Sequence, residues 1–240
     1  MIVAVNQPYF CPYPGFFYKA FLADVLVLLD DVQFPQQTTW LSRNRFKNDQ
    51  GTLWMTIPVW KKGLGRQQIN QVKVSYEGRW IRKHPESLRS FYVNAPYLAE
   101  HLDFMEKIFS ARPERLIDLN LAIIRYLLNS LQVETRLVLL SELGVKAQGT
   151  RLFVDICQAL SASIFLAQTQ AEKYHEADLF RLNGIEARYF RYLAPVYPQL
   201  WGDFIANLST FDLICNCGPK AREIIIQQPA TAFIKAADHP

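Results

Sequence analysis

A chain of 240 residues, half of them hydrophobic and 13% aromatic, can close a sizeable core and falls outside the disordered range. Its net charge of +4 suits a small anionic substrate but lacks the basic stripe of a nucleic-acid binder, so no nucleic acid is expected. No apolar run approaches the roughly 20 residues that span a bilayer.

The first apolar run, Ile2–Val5, breaks into Asn6-Gln7 and a loop carrying Pro8, Pro12, Pro14 and Gly15. Phe16–Leu22 is amphipathic, and a second apolar run, Val25–Leu29, stops at Asp30-Asp31. The pattern predicts a βαβ unit with two parallel strands buried on both faces. Ligands of such sheets bind beyond the carboxyl ends of the strands. Gln7, Pro8, Asp30, Asp31 and Gln33 are therefore candidate site residues, and Gly15 lies near the open N–H groups of the helix that follows. The prolines and Gly15 also fit a plain tight turn. Two adjacent acids after a buried strand can hold separated pKa values, which makes Asp30 or Asp31 the candidate general base.

Phe34–Asn48 reads as irregular. Within it Trp40–Lys47 concentrates Arg43, Asn44 and Arg45, which suit either a grip on phosphate or carboxylate or a solvated charged turn. Leu53–Val59 and Ile69–Val74 read as hairpin strands flanking the basic loop Trp60–Gln68. Gly78–Val93 is a helical pattern interrupted by Pro85, with His84 at its surface; Tyr97–Phe109 and Pro113–Leu131 are the clearest helices.

Strand and helix then alternate: Arg136–Leu140, Thr150–Leu160, Ser163–Leu166 and Glu186–Tyr189. The expected fold is α/β, a doubly wound, mostly parallel sheet with helices on both faces and a β-hairpin and helical insertion at about 35–135. Residues 1–228 are expected to form one domain and 229–240 a weakly ordered tail. Ser209 and Asp212 fit the capped start of a late helix. Gln199 closes an aromatic, proline-rich stretch and is a further candidate contact.

Other chemistries lack their motifs. Cys11, Cys157, Cys215 and Cys217 show no zinc-site spacing with the scattered histidines, so no metal is expected. GxGxxG, Walker A and nucleophile-elbow patterns are missing. The cysteine usage, and a start that runs straight into a strand with no basic leader, lead to the expectation of a cytoplasmic protein.

The stretches QPYFCPYPGFFYKAFLADVLVLLDDVQF, WLSRNRFK and LSTFDLICNCG together resemble the WbqC-like family, over about residues 2–222. The resemblance implies a bacterial protein encoded among O-antigen and other surface-polysaccharide genes. It further implies a transferase moving an acyl or aminoacyl group, glycyl among them, onto a sugar or sugar nucleotide, with a nucleotide or nucleotide-linked donor. Gln7, Asp30 and Asp31 would orient the acceptor, and Lys19, Arg43, Asn44 and Arg45 would hold an anionic handle. Substrate contacts are implied around Gln168–Tyr174, and where many members carry His before Gln-Pro this chain has Asn6.

The opening is also similar to that of HIGH-superfamily nucleotidylyltransferases. Where those enzymes carry HxGH this chain reads Tyr13-Pro14-Gly15-Phe16, so the likeness reaches the fold further than the activity. An adenylate-forming enzyme and a non-catalytic sugar-nucleotide-binding protein are the alternatives.

Overall fold

The computed structural model describes residues 1–227 and the strand Phe233–Lys235. The chain opens with β1 (Ile2–Asn6), α1 (Pro14–Phe21) and β2 (Val25–Leu28), the two strands pairing in parallel with Val3 beside Val25. A hairpin follows, β3 (Arg43–Asn48) and β4 (Gly51–Thr56), then α2 (Trp80–Phe91), α3 (Leu98–Ser110) and α4 (Leu116–Ser130). The second half runs β5 (Arg136–Leu139), α5 (Leu140–Leu143), α6 (Gly149–Ala159), β6 (Ile164–Gln168), α7 (Ala177–Leu182) and β7 (Glu186–Phe190). It closes with α8 (Thr210–Cys217), α9 (Ala221–Ile226) and β8 (Phe233–Lys235).

The main sheet has the order β5-β2-β1-β6-β7-β8, parallel through β7 and antiparallel at β8. It is the α/β, doubly wound architecture expected. Although its central strands are apolar throughout, successive side chains still enter opposite faces. Ala4, Leu26, Leu28 and Leu166 pack with Phe16, Phe17 and Ala20 of α1. Val3, Val25, Val27 and Phe165 pack with Val154 and Ile156 of α6. The chain moves outward in one direction through α1 and returns in the other through α6, so right-handed crossovers require those helices on opposite faces.

Three expectations need correction. The hairpin is β3–β4, closed at Asn48 and Gly51, not a pairing of 53–59 with 69–74. Ile69–Gln71 is a single 3₁₀ turn, and Val59 and Val74 meet only at an isolated bridge. Arg43–Asn48 is thus regular strand; its inward positions are held by Asn44 and Phe46, so polar content hid the alternation. The α2 helix runs through Pro85, because Trp80, His84 and Leu88 form one buried stripe whose packing outweighs the lost backbone bond. His84 is accordingly buried, with Nε2 2.8 Å from the Thr56 carbonyl. The expected tail lies outside the described residues except for β8, which extends the sheet.

Candidate functional site

Winding reverses between β1 and β6, and strand-end loops diverge at such a point to leave a crevice. A cleft of about 370 Å³ lies there. Asn6 from the end of β1 and Gln168 from the end of β6 line it, with Tyr9 and Tyr13 from the loop between β1 and α1. Trp40, Asn44 and Arg45 line it from the hairpin, and Asn207 from the segment before α8.

The loop after β1 is held by side chains from distant segments. Asn44 donates from Nδ2 to the carbonyls of Phe10 (3.0 Å) and Cys11 (2.6 Å), while its Oδ1 accepts from the Arg45 amide. Asn120 of α4 donates to the carbonyls of Pro8 and Leu41. Thr210 N–H donates to the Pro12 carbonyl and Phe10 N–H to that of Trp40. These bonds fix Cys11 at φ +43°, a left-handed conformation unusual for a residue with a side chain. Burial pushes the Cys11 thiol well above its ordinary pKa, with partial relief from the Ser209 hydroxyl, so it is a poor nucleophile.

Lys19 is buried behind the cleft. Its Nζ donates to the Val5 carbonyl (3.1 Å) and Asn6 Oδ1 (2.8 Å), and burial lowers its pKa to about 8. It therefore orients Asn6. Gln168 donates to the Tyr13 hydroxyl at 2.9 Å, and burial raises the Tyr13 pKa. Gly15 is buried under the rings of Tyr13 and Tyr192; an added Cβ would lie 2.7 Å from Tyr192 and meet Tyr13 as well.

Arg45 supplies the cleft's positive charge. Its Nη2 donates to the Ala206 and Asn207 carbonyls, both at 3.1 Å, and its Nε is buried without a protein partner. No carboxylate is paired with it among the described residues. Beside it, the Arg43 guanidinium lies 3.5 Å over Trp54, and Trp54 lies 5.6 Å from Trp40.

The remaining expected residues do not line this cleft. Asp30 accepts from both the Ser141 amide (2.9 Å) and hydroxyl (2.6 Å). Asp31 accepts from Asn70 and from Lys146. Gln33 bridges Gln68, and Tyr174 is exposed beside Lys173. The Pro8 carbonyl serves Asn120, Gln7 follows Asn6, and its own carbonyl accepts from the Tyr9 amide. Gln199 spends its amide on the Ile205 backbone and on Lys47 Nζ.

Sequence reasoning gave Asp212 a capping role that it does not have. Ser209 does cap the helix, accepting from the Phe211 amide. Asp212, fully buried, accepts instead from the hydroxyls of Tyr92 (2.7 Å) and Tyr197 (2.8 Å), and burial raises its pKa. Tyr92 also accepts from the Lys47 amide, so this carboxylate ties the hairpin to α8. Tyr9, Tyr13, Trp40 and Asn207 are not among the residues expected from the sequence, and Asn6 stood only as a polar strand end; Gln168 lies in the stretch Gln168–Tyr174 for which the resemblance implies substrate contacts.

The molecule is thus an α/β protein with a polar, aromatic-walled cleft at the switch point of a doubly wound sheet. It belongs to the WbqC-like protein family, which matches residues 7–224. A similar chain is the uncharacterised protein Rv1507c of Mycobacterium tuberculosis, 28% identical over 225 residues, 93% of this chain and 96% of the relative. No solved structure matches significantly.

Proposed function

We propose that this protein is a transferase of surface-polysaccharide assembly that holds a nucleotide-linked sugar in the switch-point cleft and places an acyl or aminoacyl group on it. The carrying observation is Arg45, a cleft-lining guanidinium fixed at Nη2 by two carbonyls and matched by no carboxylate among the described residues. Such a group takes phosphate or carboxylate. The amides of Asn6, Gln168 and Asn207 supply donors and acceptors for sugar hydroxyls, and Trp40 and Tyr9 supply apolar walls.

Within this reading Asp31 is the general base. Asp30 spends both oxygens on Ser141; Asp31, its side chain 9% exposed, spends one on Asn70 and the other on Lys146, whose side chain is 75% exposed and can move aside. Asp31 also follows the strand next to Asn6, since the Leu29 amide donates to the Asn6 carbonyl.

A thermal-shift screen with nucleotides, nucleotide sugars and amino acids tests the proposal. Stabilisation by a nucleotide sugar, lost in Arg45→Ala, supports it; stabilisation by none of them removes it. The strand order, shared with nucleotide-binding doubly wound sheets, favours one alternative, an enzyme that activates a small acid as its adenylate. Pyrophosphate release from ATP across a series of carboxylic acids separates the two.

A further inference from the structure

The outer face of the β3–β4 hairpin continues the cleft. Strand register sets Trp54 directly across from Arg45, and Arg43 across from Thr56. Alternation along β4 puts Thr52, Trp54 and Thr56 on the exposed side together. Trp40 is both a wall of the cleft and the ring beside Trp54. Trp40 is 43% exposed and Trp54 42%, an unusual outlay of indole surface to water. The Arg43 guanidinium packs on one face of Trp54, 3.5 Å from the ring centre, and the Arg45 guanidinium lies 5.9 Å from that of Trp40.

We infer that this face is a second subsite, for a sugar ring one unit along from the sugar in the cleft, so that the acceptor is a chain of at least two pyranoses. The inference rests on the cleft being the sugar site. A pyranose presents polarised C–H bonds that pack on the negative face of an indole, and hydroxyls that need partners at the ring's edge. Two tryptophans bordered by two threonine hydroxyls and a guanidinium meet both needs.

Tryptophan emission of the full chain, titrated with glucose and N-acetylglucosamine as monomers and as β-1,4-linked dimers and trimers, tests this. Uridine monophosphate serves as the comparison ligand. The dimer is expected to bind roughly fivefold tighter than the monomer, the increment of one aromatic stacking contact. That ratio should fall to near one in Trp54→Ala and persist in Trp54→Phe. Equal affinity of monomer and dimer overturns the subsite. So does a Trp54→Ala loss larger for uridine monophosphate than for the dimer, which would make the platform a nucleobase stack. If the monosaccharides or uridine monophosphate bind with no gain from the second ring, the subsite fails and the cleft stands; if none of these ligands binds, both fail.

Discussion

The Asn44 side-chain nitrogen lies 2.6 Å from the Cys11 carbonyl oxygen, joining the hairpin to the loop that forms the cleft floor. All of the amide's bonds go to backbone: the Phe10 carbonyl takes the other, and the Arg45 amide donates to Asn44 Oδ1. Asn44→Leu would leave three backbone groups without these partners in a buried setting. The expected cost is at least about 3 kcal/mol, since each of the three orphaned buried groups costs roughly 1–3. Urea denaturation should show the midpoint falling with an unchanged slope.

Lys19 gives a pH dependence with a definite sign. Its folded pKa, about 8, lies below the ordinary lysine value of 10.5, so its stability contribution is complete above about 10.5 and is lost as pH falls through 8. Between those values wild type should gain stability with pH at up to about 1.4 kcal/mol per unit from this group. Lys19→Met should lack that increment. Parallel denaturation curves for the two proteins from pH 7.5 to 10.5 (about the span of the shift) check it.

Gly15→Ala should disturb the cleft through packing. The new methyl meets the rings of Tyr13 and Tyr192 and forces Tyr13 away from Gln168. The expected loss is about 1–3 kcal/mol, typical of overpacking. Thermal denaturation reads the loss. Partial recovery in the Gly15→Ala, Tyr192→Ala double variant would identify the ring as the obstacle.

Asp30 and Asp31 should part company on mutation. Asp30→Asn puts an amide donor where the Ser141 amide and hydroxyl both need acceptors, so stability should drop by roughly 1–3 kcal/mol. Asp31→Asn should cost less, about 1 kcal/mol, because its amide oxygen still accepts from Asn70 and the lost partner Lys146 is exposed, and should abolish turnover if Asp31 is the base. Denaturation midpoints and transfer assays on both variants decide it; full turnover in Asp31→Asn removes the role.

What could be read from the chain divides along physical lines. The apolar runs Val25–Leu28 and Arg136–Leu139 and the leucine stripe of α4 carry their own periodicity, so sheet and helix were legible. The segment Arg43–Asn48 was not, because Asn44 occupies a core position by virtue of backbone carbonyls 33 and 34 residues earlier in the chain. Asp212 misled for a similar reason: its spacing from Ser209 fits a cap, but its partners Tyr92 and Tyr197 lie 120 and 15 residues away. Arg45 was singled out from composition. Gln168 was legible only as one end of the stretch Gln168–Tyr174, and Asn207 was not, since the folded chain alone brings them to Arg45.

The central claim is that the switch-point cleft receives an anionic sugar through Arg45. Isothermal titration of a uridine-diphosphate sugar into wild type, Arg45→Ala and Asp31→Asn tests it most directly. One-to-one binding by wild type, weakened at least about tenfold in Arg45→Ala, the scale of a lost charge-assisted hydrogen bond, and retained in Asp31→Asn, is the expected result. Equal binding by wild type and Arg45→Ala, or none by a folded wild type, would contradict it.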